Sequence, residues 1–118
     1  MDSEVVKKLK IDIEIGLDKQ NFPSQITWQS SDAPANFPVQ NAKAMLLSFL
    51  DRESGDTIKI DLRTNDLQMG EMNFLMFRTL SGLADTYFQA TKNREMAEHL
   101  QHFAHFFGEK TEVLIPPK

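Results

Sequence analysis

The chain has 118 residues, 41% hydrophobic and 25% charged, which is enough for one soluble domain with a two-layer core and too little for two independent cores. Its formal net charge of -4 and pI of about 5.3 argue against nucleic-acid binding by phosphate neutralisation. With no cysteine, disulfides, thiolate nucleophiles and thiolate metal sites are excluded.

The N-terminal run MDSEVVKKLKIDIEIGLD contains no unbroken apolar segment, and no later run approaches the length of a membrane span. No membrane insertion and a cytoplasmic address are therefore expected. Lys7, Lys8 and Lys10 make a short basic cluster, the expected solvated edge of a first strand.

After a frayed start, Leu9, Ile11, Ile13, Ile15 and Leu17 alternate with Lys10, Asp12, Glu14 and Gly16, the period of a strand with one wet face. Asp18 to Ser24 reads as a turn, and Gln25 to Gln29 as a second strand with Ile26 and Trp28 on one side. The lone Trp28 is expected to plug the core at the sheet face. Ser30 to Asn41, with two prolines, reads as an irregular surface crossing pinned by Phe37.

Ala42 to Asp51 followed by the turn signal Arg52 to Asp56 reads as a third strand, and Thr57 to Thr64 as a fourth with Ile58, Ile60 and Leu62 inward. The third strand is apolar on both faces, with Met45, Leu47 and Phe49 on one and Ala44, Leu46 and Leu50 on the other. Such a strand is usually covered twice, so Met45, Leu47 and Phe49 are candidates for contact with a partner.

Asn65 or Asp66 is expected to cap a long helix over Gly70 to Lys92. At 100° per residue it has two apolar sectors, one holding Met72, Met76, Leu80, Leu83 and Tyr87, the other Phe74, Phe77, Ala84 and Phe88. Gly82 would allow a close backbone approach. A second helix over Arg94 to Glu109 places Met96, Leu100, Phe103 and Phe107 in a seam suited to the second sector, making an antiparallel helix hairpin. A tail from Thr111 ends any regular structure at Pro116 and Pro117. The fold class expected is α+β, a four-stranded antiparallel, meander-like sheet packed on a C-terminal antiparallel helix pair. That is a two-layer single domain over 1–118, with sheet at about 8–64, helices at about 65–110 and a tail at 111–118.

His99, His102 and His105 form HxxHxxH, which fans across about 120° of the helix and has no acid inside the motif to complete a ligand set. Phe106 projects between His99 and His102, so an aromatic and imidazole contact patch fits better than a metal. The carboxylates fall at turns and outward strand positions, and the glycines form neither GxGxxG nor a P-loop. No catalytic, cofactor or metal residues are assigned. A small metal-binding or hydrolytic enzyme is the alternative. Nine Phe and six Met exceed what a lone two-layer domain shelters, so protein contacts, including a homodimer, are expected.

The runs ITW at Ile26 to Trp28, AKAMLLSFLDRESGDTIKIDLRTNDLQMGEM at Ala42 to Met72, and LADTYFQAT at Leu83 to Thr91 resemble the gliding motility-associated protein GldC family. The resemblance extends from about Lys10 to Lys110, and departs from the family pattern IDLWTKDM at Arg63, Asn65 and Leu67. It implies a cytoplasmic accessory protein of Bacteroidetes-type bacteria, associated with gliding motility and supporting rather than forming the motor, with no accepted enzymatic activity; no cofactor is expected, and gliding-machinery components are the expected partners.

Overall fold

The computed structural model describes residues 3–34 and 36–114. The chain is α+β: strands β1 (Ile11–Leu17), β2 (Pro23–Ser30), β3 (Gln40–Ala42), β4 (Ala44–Leu50) and β5 (Thr57–Arg63) precede helices α1 (Met69–Thr91) and α2 (Arg94–Lys110). It divides into two compact units, Met1–Leu67 and Gln68–Lys118.

The strands make a 3-stranded sheet, β1-β2-β3, and a 2-stranded sheet, β4-β5, rather than the one four-stranded sheet expected from the sequence. The third strand of that reading is two strands separated by a bend at Lys43. Each half has its own partner: Ala42 pairs with Ile26 of β2, and Ala44 with Arg63 of β5.

Strict alternation sets the first sheet. Ile13 opposes Trp28 and Ile15 opposes Ile26, while Asp12, Glu14, Thr27 and Gln29 share the other face. Asp18 shapes the first turn by accepting the N–H groups of Gln20 at 2.8 Å and Phe22 at 3.0 Å, and Asn21 takes φ 65. Ile26, 1% exposed, is the largest fully buried side chain among the described residues. Trp28, expected as the plug, is instead 39% exposed, because it lies toward the strand end where β3 stops at Gln40. Phe37, expected to pin its loop, is 46% exposed and lines a hollow with Asp12, Gln29 and Pro34.

The β4–β5 turn is built by one carboxylate. Asp51 Oδ2 accepts the N–H of Ser54 at 2.9 Å, the Ser54 hydroxyl at 3.0 Å and the N–H of Glu53 at 3.1 Å. The N–H of Gly55 closes on the Asp51 carbonyl at 3.1 Å, with Gly55 at φ 78, where a Cβ would be strained. The Ser54 backbone bond, then its hydroxyl, hold the Asp51 carboxyl below its usual value of 3.8. A carboxylate with a depressed folded value stabilises the fold above its unfolded value. The turn therefore keeps this contribution at neutral pH and loses it as pH falls from about 3.8 through the folded value. An NMR titration of the Asp51 side chain should show the depressed midpoint, with Ser54 amide exchange accelerating in step. Asp51→Asn should remove the pH dependence.

Neither Asn65 nor Asp66 caps α1. Asp66 instead accepts the Thr64 hydroxyl at 2.5 Å, which holds its carboxyl low with help from Lys43, while the Thr64 N–H bonds the Lys43 carbonyl at 2.8 Å. The cap is Gln68, whose N–H donates to Glu71 Oε1 at 3.0 Å in a capping box. Lys92 ends α1 at φ 59, and Asn93 Oδ1 caps α2 by accepting the Met96 N–H at 3.1 Å.

In the second unit the helices run antiparallel: Phe77 of α1 meets Gly108 of α2, while Ala84 and Phe88 share a cleft with Ala97 and Gln101. Phe77, Ala84 and Phe88 of the second sector of α1 face α2 as their spacing predicts, whereas Phe74 of that sector is exposed. The facing side of α2 is different from the predicted seam. Ala104 and Gly108 are buried there, while Met96 and Phe103 are exposed. A Cβ at Gly108 would lie 2.8 Å from Phe77 Cδ1 and 2.8 Å from Leu114 Cδ1. Gly82 has open space around it and serves no close approach. After α2, the N–H groups of Glu112 and Val113 return to the carbonyls of Glu109 and Gly108 at 3.2 and 3.0 Å, a Schellman closure with Glu112 at φ 65. The proline stop expected at Pro116 and Pro117 lies outside the described residues, as does the start at Met1 and Asp2.

Candidate functional site, two apolar surfaces

The register of β4 and β5 places Met45 opposite Leu62, Leu47 opposite Ile60 and Phe49 opposite Ile58. All six lie on one face, which carries no charge. The other face pairs Leu46 with Asp61 and Ser48 with Lys59, and Lys59 Nζ lies 3.2 Å from Asp61 Oδ2. Met45, Leu47 and Leu62 are half-buried. Phe49 and Ile58 are each 53% exposed and Ile60 is 43% exposed, so the inward placement expected for Ile58 and Ile60 does not hold. These two residues extend the surface that the sequence reading limited to Met45, Leu47 and Phe49. Their alternation, aligned across the Asp51 turn, is the signal that could have found them.

The second surface lies on α2. His99, His102 and Phe106 are all exposed, and the Phe106 ring centroid lies 6.0 Å from that of Phe103. Phe103 belongs with this patch rather than with the helix seam. Lys110 Nζ sits 5.8 Å from the Phe106 ring, within cation–π range. His105 Nε2 pairs with Glu109 Oε1 at 3.0 Å. Among the described residues no three His, Asp or Glu side chains gather into a group able to hold a metal ion. The helix spreads the three imidazoles across about 120° of its circumference, as their spacing dictates.

Two of the concavities among the described residues matter for their linings. One of about 490 Å³ lies along the first sheet, lined by Asp12, Glu14, Thr27, Trp28 and Val39 among others. Its acids, Asp12 and Glu14, are both exposed, and Asp12 Oδ1 lies 3.6 Å from Lys10 Nζ. The other, about 220 Å³, is the interhelical cleft at Ala84 and Ala97. Arg94 and Lys92 stand over the Phe88 ring at its end, at 5.1 and 5.3 Å. Neither gathers a nucleophile, a base and an oxyanion donor in the arrangement that hydrolytic chemistry needs.

Among the described residues no helix is long and apolar enough to cross a membrane. Comparison with curated proteins and with solved structures finds no match. A family model described as gliding motility-associated protein GldC-like matches residues 23–113, a span that includes β2 to β5 and both helices. The chain therefore belongs to the GldC-like family, whose name ties it to gliding motility.

Proposed function

We propose that the chain is a non-enzymatic cytoplasmic accessory protein of gliding motility that acts through protein–protein contacts. The observation that carries this reading is the uncharged β4–β5 face, where Phe49, Ile58 and Ile60 stand exposed side by side. Contiguous apolar surface of this kind marks an interaction site rather than a solvated one. Covering an aromatic side chain stabilises by about 1.5–3 kcal/mol, so a partner seated on Phe49 and its neighbours gains substantial affinity there. The α2 patch at His99, His102 and Phe106 is a second contact. Family membership supports machinery components as partners.

The test is affinity capture from native cells combined with gliding speed. Phe49→Asp and Phe106→Asp should each release a co-purifying protein and slow gliding severalfold, with melting temperatures close to wild type because both side chains are already exposed. Capture and gliding unchanged in both variants would overturn the reading. Stoichiometric zinc uptake that His99→Ala or His102→Ala abolishes would favour a metal protein instead.

A further inference from the structure

We infer that the outer edge of β1 is a self-association site, at which a second copy of this chain adds its own first strand antiparallel across a two-fold axis at Ile11. The site is separate from the contacts proposed at Phe49 and Phe106 and does not depend on them.

Three observations carry the inference. First, β1 ends the order β1-β2-β3 and pairs only with β2 among the described residues. The hollows lined by Asp12, Ile13 and Glu14 are otherwise bounded by β2 and the segment that follows it, on the side away from that edge. The Ser31 N–H bonds the Lys10 carbonyl at 2.9 Å and the Lys10 N–H bonds Ser31 Oγ at 2.9 Å, so the backbone groups of Lys10, Asp12 and Glu14 turn toward β2. Alternation leaves the N–H and C=O groups of Ile11, Ile13 and Ile15 pointing outward, a template for another strand. Second, apolar side chains at this end are left uncovered: Leu9 is 57% exposed and Ile11 58%. With the axis at Ile11, Leu9 of each copy faces Ile13 of the other, and the two Ile11 side chains adjoin on the same face.

Third, the charges select one register. The other face of this stretch reads Lys8, Lys10, Asp12, Glu14 at alternate positions, two positive and then two negative, a series complementary to its own reverse. About Ile11, Lys10 of each copy faces Asp12 of the other and Lys8 faces Glu14, all in the closer, non-hydrogen-bonded spacing. Moving the axis to Lys10 or to Asp12 sets that residue against its own copy. Moving it to Leu9 opposes Lys8 and Lys10, and moving it to Ile13 opposes Asp12 and Glu14. A slip of one residue would bring isoleucines beside charges. Like charges directly opposed are destabilising and opposite charges favourable, so lysines that guard the edge against other strands admit a copy of the same strand in one alignment. All four side chains are exposed, and Lys10 Nζ already lies 3.6 Å from Asp12 Oδ1 of its own chain, on the face where the copy's charges would meet them.

The chain has no cysteine, so single cysteines report the register cleanly. Ile11 meets its own copy in a hydrogen-bonded pair, with Cα atoms about 5.5 Å apart, within the range a disulfide spans. Leu17, matched to Ile11 in exposure at 55%, lies roughly 40 Å from its own copy in this register at the usual strand rise. Under mild oxidation Ile11→Cys should therefore cross-link and Leu17→Cys should not. By sedimentation, the wild-type mass should rise with concentration from 13.5 kDa toward twice that. Lys10→Asp and Asp12→Lys should each weaken dimerisation about tenfold or more, with melting temperatures of dilute samples unchanged because both side chains are exposed. The double exchange in one chain should restore the dimer, as should mixing the two single variants. A chain monomeric at all concentrations, equal cross-linking at Ile11 and Leu17, or a dimer indifferent to the charge exchanges would overturn the inference. These variants leave Phe49 and Phe106 intact, so such a failure would not bear on capture of a different protein through those side chains.

Discussion

Replacing Ile26 with alanine is expected to destabilise the protein by about 2–5 kcal/mol, the usual range for emptying a fully buried large aliphatic site. Ile26 is central to the first sheet, between Ile15 of β1 and Ala42 of β3, and at 1% exposure it has no solvent into which its neighbours can relax. Set against a typical stability of about 5–15 kcal/mol, the loss is large enough to leave the domain partly unfolded at 37 °C. Urea denaturation should show a lower midpoint with an unchanged slope. Ile11→Ala, on the same face but 58% exposed, supplies the contrast, with a loss of about 1 kcal/mol. Equal losses at the two sites would show that the sheet is not anchored at Ile26.

The contrast between Ile26 and Trp28 also shows where sequence reading reaches and where it stops. Alternation identifies the shared face of Ile26 and Trp28 and the end of β1 at Leu17, because period two is local, although the strand begins at Ile11 rather than Leu9. It does not say how far the neighbouring strand extends, and the short β3 leaves the larger side chain the more exposed. The same limit hides the break at Lys43. The run QNAKAM has no marker of a bend, which follows from Ala42 and Ala44 pairing with different strands. By contrast, the Asp51 turn and both helices were legible to within a residue or two, since turn chemistry and a 3.6-residue period are local too.

The candidate surfaces divide in the same way. Met45, Leu47 and Phe49 share a side by alternation alone, and the register across the turn adds Ile58 and Ile60. On α2 the large apolar residues mark a seam, yet the facing side belongs to Ala97, Ala104 and Gly108. Hydrophobic periodicity weighs large side chains, whereas close helix approach selects small ones. Phe103 is consequently released to stand beside Phe106, where it enlarges the patch that His99, His102 and Phe106 outline.

Gly108→Ala and Gly82→Ala should act in opposite directions, although both place alanine in a helix in place of glycine. In an open helix interior the exchange stabilises by about 0.5–1 kcal/mol, because alanine loses less backbone entropy. Gly82 is exposed with no atom near its missing Cβ, so that gain should appear undiminished as a rise in melting temperature. At Gly108 the added methyl would meet Phe77 Cδ1 and Leu114 Cδ1 at 2.8 Å and Leu114 Cγ at 2.9 Å. Relief at Leu114 alone is insufficient, since the Phe77 ring closes the other side. Overpacking of this kind costs about 1–3 kcal/mol, which exceeds the propensity gain and leaves a net loss. Phe77→Leu should give back part of that loss in the Gly108→Ala background by shortening the opposing side chain, and this coupling would be read in a double-mutant cycle. If Gly108→Ala raised stability as much as Gly82→Ala, α1 and α2 could not be in contact through this glycine.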